Sequence, residues 1–182
     1  MNESSWLPES DANATLEKNW LFTLRRERFR SRLTGVAHDY YVVHLADAVH
    51  VVAVTPENQV VLVRQFRAGS QRDSLETPGG LLEPNEDPLV AGARELKEET
   101  GYVGENVRLI GQSWSNPSIL SSRITTIVVE NAQRIAPPQP DQTEELTVEL
   151  LPVAEIESAI RDGRIDHSLA VLGLLLWQSQ QR

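Results

Sequence analysis

The chain contains no cysteine among its 182 residues. That excludes a disulfide framework and any thiolate metal site, and it fits a reducing compartment. Four histidines are present, but they form no ligand-like spacing, so zinc is not expected. Basic residues are also in short supply: 17 Lys and Arg stand against 26 Asp and Glu, for a formal net charge of −9. A nonspecific nucleic-acid binder needs a basic surface, so nucleic acid is not the expected partner. The apolar run from Leu169 to Trp177 is too short to span a bilayer and reads as a buried C-terminal helix. Met1 to Ser10 lacks a basic region followed by an apolar stretch, so no secretory leader is expected and the expected location is the cytoplasm. Internal repeats and low-complexity tracts are missing; Ala136-Pro137-Pro138-Gln139-Pro140 reads as a stiff polar loop. The length suits one domain with a real core and a small extension.

What is abundant is acid, concentrated in one stretch. Asp87 can cap a helix, Pro88 suits its first position, and Gly101 can close it in the left-handed conformation. Leu89, Ala93 and Leu96 recur at helical spacing and predict the buried stripe. Within this helix Glu95, Glu98 and Glu99 stand at i, i+3 and i+4, which stacks three carboxylates on one face. Like charges there repel, so the arrangement suits a cation held between them. Oxygen-only donors at this density suit Mg²⁺ or Mn²⁺. Taken alone, a run such as Arg94 to Glu99 is also the ordinary solvated face of a helix.

The remaining periodicities predict strands over Trp20 to Arg30, Tyr40 to Leu45, Ala48 to Val54, Gln59 to Phe66, Arg108 to Ser113, Arg123 to Glu130 and Glu145 to Leu151. Pro56-Glu57-Asn58 makes a turn that pairs two of them as a hairpin. Helices are expected over Val153 to Arg161, ended by Gly163, and over Ser168 to Gln180. Strands and helices in this alternation give an α/β or α+β sandwich.

The spacing beyond the carboxylates carries more. Gly80, five residues, Glu86, seven residues, and then Arg94-Glu95-Leu96-Lys97-Glu98-Glu99-Thr100-Gly101-Tyr102 resembles the complete Nudix box. Tyr102 stands where the family pattern asks for an aliphatic residue, and a buried aromatic can pack there. The resemblance implies an α/β/α sandwich with a mixed sheet over residues 47–182, preceded by an antiparallel β extension over 1–46. It implies a hydrolase that cleaves a nucleoside diphosphate linked to another group. By position, Glu95, Glu98, Glu99 and the Gly79 carbonyl become the metal ligands, and Arg94 and Glu86 an internal pair locking loop to helix.

Further stretches resemble the ADP-ribose and nucleoside diphosphate sugar pyrophosphatase branch: Tyr40-Tyr41-Val42-Val43, Val63-Arg64-Gln65-Phe66-Arg67, Leu75-Glu76-Thr77-Pro78-Gly79-Gly80, Pro117, and Gly163-Arg164-Ile165-Asp166. The branch implies a symmetric homodimer made through the β extension, and release of a nucleoside monophosphate and a sugar phosphate. Arg67 is the first choice for a pyrophosphate contact, because guanidinium grips phosphate oxygens bidentately. Arg64 is the second; alternation aims it away from Gln65. Glu76 is expected to hold these arginines or to touch the terminal ribose. Trp20 suits stacking on a base, or an interface or core position. For the base that activates water, the loop before the last strand offers Glu144 first, then Glu145 and Asp141; Glu98 is the alternative within the box. After Pro117 the branch commonly reads Gly, apolar, small polar, acid, whereas this chain reads Ser118-Ile119-Leu120-Ser121-Ser122-Arg123. That leaves room for GDP-mannose or a broad range of nucleotide sugars, with RNA 5′ ends and dinucleoside polyphosphates as the more distant alternative.

Overall fold

A computed structural model describes residues 4–140 and 145–181. It comprises two units, residues 1–46 with 114–123, and residues 47–113 with 124–182.

The first unit is an antiparallel sheet. Its strands are β1 (Trp6–Pro8), β2 (Ala14–Lys18), β3 (Phe22–Ser31) and β4 (Ala37–Leu45), and β3 lies at the centre of all pairings. The first long strand begins at Phe22, two residues later than the alternation of Trp20, Phe22 and Leu24 suggests. The Asn19 side chain takes the amides of Leu21 and Phe22, which leaves Trp20 at the tip of the turn and 92% exposed. Residues 114–123 belong with this sheet: Val43 N–H donates to the Ile119 carbonyl at 2.8 Å and Ser121 N–H to the Val43 carbonyl at 3.1 Å. The Arg123 guanidinium lies over the Trp114 ring, 5.3 Å from its centroid.

The second unit is a three-layer sandwich. Its sheet contains β5 (Ala48–Val54), β6 (Gln59–Arg67), β7 (Arg72–Glu76), β8 (Gly79–Leu81), β9 (Tyr102–Trp114), β10 (Arg123–Arg134) and β11 (Leu146–Pro152). The strand order is β11-β6-β5-β10-β9, with β7 on β6 and β8 on β5. The sheet is mixed: β10 runs parallel to β5, while β5–β6, β6–β7, β5–β8 and β6–β11 are antiparallel. Helix α1 (Pro88–Thr100) covers one face; α2 (Ile156–Arg161), entered through a 3₁₀ turn over Val153–Glu155, and α3 (Ser168–Ser179) cover the other.

Period two along β5 explains the layering. Val49, Val51 and Ala53 join Ala91 and Leu96 of α1, together with Ile127 and Val129. Val52 joins Ile156 of α2, Ala170 and Leu174 of α3, and Val128. A strand buried on both faces reads as a near-continuous apolar run, as this one does apart from His50. Tyr102 is buried in the α1-side core, so the aromatic packs where an aliphatic residue was expected. The buried face of α1 is Ala91, Gly92, Leu96, Glu99 and Thr100, whereas Leu89 and Ala93 are only half-buried. The stripe is rotated because Gly92 presses on the sheet: a Cβ there would lie 2.3 Å from Ile127 Cδ1. Among the described residues no helix is long and apolar enough to cross a membrane.

Candidate functional site

The site grows from the junction of β8 with α1. Asp87 caps the helix, accepting from Leu89 N–H at 2.8 Å and Val90 N–H at 3.4 Å, and Pro88 follows at the first position. At the other end Gly101 takes φ 75° and donates to the Lys97 carbonyl at 2.8 Å. Between these caps the helix presents its carboxylates.

Arg94 organises the outer two. Its Nε and Nη2 donate to the Glu86 oxygens at 3.1 and 3.2 Å, while Nη1 donates to Glu95 Oε1 at 2.9 Å and Glu98 Oε2 at 3.0 Å. Glu86 also takes the Glu83 N–H at 3.0 Å, so one carboxylate ties the exposed loop to the helix. The Arg94 bonds, then that backbone amide, hold the Glu86 carboxyl below its ordinary range. The same Glu86 bonds, with the charge of Glu95, raise Arg94 despite partial burial.

Glu99 is placed differently. It is 2% exposed, on the buried face of the helix, and accepts the Gly79 N–H at 2.9 Å. Glu95 is tucked against Gly80, where a Cβ would lie 2.5 Å from Glu95 Oε1. The glycine pair therefore lets β8 approach the carboxylates without a side chain between them. Of the expected metal ligands, Glu95, Glu98, Glu99 and Gly79 thus share one junction. Their oxygens do not close on a point: among the described residues no three His, Cys, Asp or Glu are grouped so as to hold a metal ion. The physical reason is visible in the partners, since Arg94 spans Glu95 and Glu98 while Glu99 turns to a backbone amide. The donor set itself, three carboxylates with no nitrogen or sulfur, fits a hard divalent cation.

The two arginines of β6 part company. Three residues apart on a strand, they face opposite ways. Arg64 is bound by Glu149 of β11, at 2.5 and 3.2 Å. Arg67 forms a fork with Glu76, Nε to Oε1 at 2.9 Å and Nη2 to Oε2 at 2.8 Å. Glu76 is 2% exposed; burial acts to raise its carboxyl, but the bonds and charge of Arg67, with His167 and Ser74, together hold it lowered. Glu76 and Gly79 are three residues apart, so their Cα atoms lie within about 11 Å of each other.

Glu145 is exposed immediately before β11. Glu144 and Asp141 lie outside the described residues. The chain leading toward them is pinned on the end of α1: Ile135 N–H donates to the Gly101 carbonyl at 2.9 Å and Gln139 N–H to the Glu98 carbonyl at 2.7 Å. Trp20 lies in the first unit, at its exposed turn.

Two histidine contacts escaped sequence reasoning. His50 is buried on β5, with Nδ1 3.0 Å from Thr77 Oγ1 and Nε2 buried without a hydrogen-bond partner. His167 precedes α3 with Nε2 3.6 Å from Glu76 Oε2. Isolated histidines give no spacing signal, so only the fold brings them to Glu76.

The NUDIX domain family model matches residues 44–170. The chain belongs to the NUDIX domain family. As a Nudix hydrolase it joins a family that generally works with divalent metal ions. Relatives include a protein of Bacillus methanolicus named methanol dehydrogenase activator, 32% identical over 146 residues, which are 77% of this chain and 76% of that one. Another is an ADP-ribose pyrophosphatase of Mycobacterium tuberculosis, 27% identical over 92% of this chain and 81% of that one. A crystal structure of an ADP compounds hydrolase superposes with a TM-score of 0.84 at 22% identity, covering 99% of this chain and 96% of that chain; this likeness concerns the Nudix fold.

Proposed function

We propose that this Nudix hydrolase cleaves the pyrophosphate bond of ADP-ribose or another nucleoside diphosphate sugar with Mg²⁺ or Mn²⁺, releasing a nucleoside monophosphate and a sugar phosphate. The observation that carries the reading is the junction of Gly79, Gly80, Glu95, Glu98 and Glu99, with the Arg67–Glu76 fork on the same short stretch of chain. The ADP-ribose pyrophosphatase of Mycobacterium tuberculosis and the ADP-sugar pyrophosphatase of mouse, 34% identical over 116 residues, support this substrate class.

In this reading Glu95, Glu98, Glu99 and the Gly79 carbonyl would hold the cation, in place of the Arg94 contacts to Glu95 and Glu98. When bound, the cation neutralises the diphosphate and acidifies the attacking water. Arg67 grips the pyrophosphate oxygens, its guanidinium plane set beforehand by Glu76. Arg64, spent on Glu149, is a secondary contact. Water attacks one phosphorus, the bridging P–O bond breaks, and a carboxylate takes the water proton. Glu144 is the first assignment for that base, followed by Glu145; Gln139, a few residues earlier in the chain, donates to the Glu98 carbonyl. Glu98, exposed on the same turn, is the alternative. Trp20 is assigned to base stacking, its ring being open to a ligand. The apolar side chains exposed on the first unit, Trp20, Leu33 and Val36 among them, support a homodimer. The missing acid after Pro117, where the stretch ends in Arg123, favours keeping GDP-mannose beside ADP-ribose as a substrate.

Incubation with ADP-ribose, GDP-mannose and UDP-glucose plus Mg²⁺ or Mn²⁺, followed by chromatography, tests the reading. A monophosphate and a sugar phosphate from at least one is expected. No product from any of the three overturns it.

A further inference from the structure

The cluster behind Arg67 does more than hold one arginine. Glu76 Oε2 accepts from Arg67 Nη2 at 2.8 Å, and the same oxygen lies 3.6 Å from His167 Nε2. These groups come from β6, β7 and the residue before α3, so the oxygen links the helix to the arginine. We propose that His167 is a positioning residue for Arg67, setting the guanidinium's hold through the one carboxylate oxygen that both approach. This rests on the assignment of Arg67 to the pyrophosphate.

The argument is one of competition. At 3.6 Å the imidazole is in ion-pair reach of Glu76 but beyond a good hydrogen bond. Its Nδ1 is buried with no hydrogen-bond partner, so a second ring proton would be placed where no acceptor waits. The charged groups around it oppose one another. Glu76 and Asp166 favour the imidazolium, Arg67 disfavours it, and His50 across on β5 shares the same field. Asp166 is itself engaged by Arg72. Burial prevails, ahead of the favourable charge of Glu76, and lowers the histidine below its ordinary 6.5. The ring is therefore neutral at pH 7 and leaves Glu76 Oε2 to Arg67. Below that point the imidazolium draws the oxygen toward itself and repels the guanidinium. The fork loosens, and Arg67 loses the orientation that makes its phosphate contact efficient.

The experiment measures KM and kcat for the best nucleoside diphosphate sugar from pH 5 to 8, at saturating metal, for the wild type, His167→Gln and His167→Ala. The wild-type KM is expected to rise about fivefold on the acid side, the window in which a histidine changes charge. His167→Gln keeps an N–H near the Nε2 position and never charges, so its neutral-pH KM stays near wild type and the acid rise disappears. His167→Ala likewise never charges, so its KM also shows no acid rise, with kcat little changed. One pH curve shared by all three proteins overturns the proposal. A second arm needs no substrate: the His167 ring is titrated by NMR in the wild type and in Arg67→Ala. Removal of the guanidinium should move the midpoint upward, and an unmoved midpoint also overturns the proposal. Absence of any hydrolysis counts against the pyrophosphatase reading, while this arm still decides the coupling.

Discussion

At the scale of single residues, the candidate site separates two kinds of carboxylate. Glu98 is exposed and shares its oxygen with Arg94, whereas Glu99 is buried with a backbone amide. A buried acceptor placed on Gly79 is held in position, so among the proposed ligands Glu99 is the one whose charge is expected to matter most. Glu99→Gln keeps its shape and one acceptor oxygen but loses the anion. Turnover should fall by about a hundredfold or more, in line with removal of a major electrostatic contribution, while the circular dichroism spectrum stays that of the wild type. Activity within a few-fold of wild type would remove Glu99 from the metal assignment. Arg67→Ala acts on the other half of the site. Losing a bidentate, charge-assisted contact of about 1.5–3 kcal/mol should raise KM by roughly ten- to a hundredfold, read from steady-state kinetics with metal saturating. An unchanged KM would return Arg67 to a structural partner of Glu76.

At the scale of elements, β8 matters more than its three residues suggest. The two glycines meet different neighbours, and this predicts different outcomes. A Cβ on Gly79 would lie 2.2 Å from the Val49 carbonyl oxygen, a backbone atom fixed in the sheet. A Cβ on Gly80 would meet first the carboxylate end of Glu95, the far end of a side chain that can swing aside. Gly79→Ala should therefore unfold at clearly lower denaturant, by an overpacking cost of about 1–3 kcal/mol. Gly80→Ala should keep its denaturation midpoint and lose most of its turnover because Glu95 is displaced. Equal stability losses in both would contradict the placement of β8. The same element marks how far sequence alone reached. Helix α1 was legible because caps, periodicity and box spacing agree, and β5 and β6 because near-continuous apolar runs bounded by a turn admit little else. β7 and β8 were not legible: Arg-Asp-Ser-Leu-Glu and Gly-Gly-Leu have no strand character of their own and pair only because β6 and β5 offer edges. β9 starts at Tyr102, where Gly101 turns the chain straight out of α1, rather than at the later apolar alternation. For the candidate site, the box residues were named from spacing, as were Arg67 and Glu76 from their motifs. His167 was not, because its relation to Glu76 exists only once α3 docks.

At the scale of the whole molecule, the core on both faces of the sheet is built without the acidic junction. Chelation should then abolish turnover with little change in the thermal transition, since no buried apolar contact depends on the cation. Acid is expected to act differently, through His50. Burial, then the neighbouring His167, drops this imidazole to about 4, with Glu76 opposing. The unfolded chain takes up the proton near 6.5 and the folded one does not, so between these values the unfolded state binds more protons. Stability therefore rises with pH across this window, and the contribution of neutral His50 is lost progressively as pH falls from about 6.5 toward 4. A difference of this size corresponds to roughly 3 kcal/mol. The window lies above the range where Glu76 and Glu86, both lowered, take up protons, so their effect appears only at stronger acid. Urea unfolding of the metal-free protein at pH 7, 6, 5 and 4.5 should show a falling midpoint at constant slope. His50→Asn keeps a polar group for Thr77 but cannot titrate, and its midpoint should fall less over the same interval, leaving the part owed to His167. Parallel curves for the two proteins would mean that His50 is already solvated in the folded state and that its burial against α3 is not what makes the fold acid-sensitive.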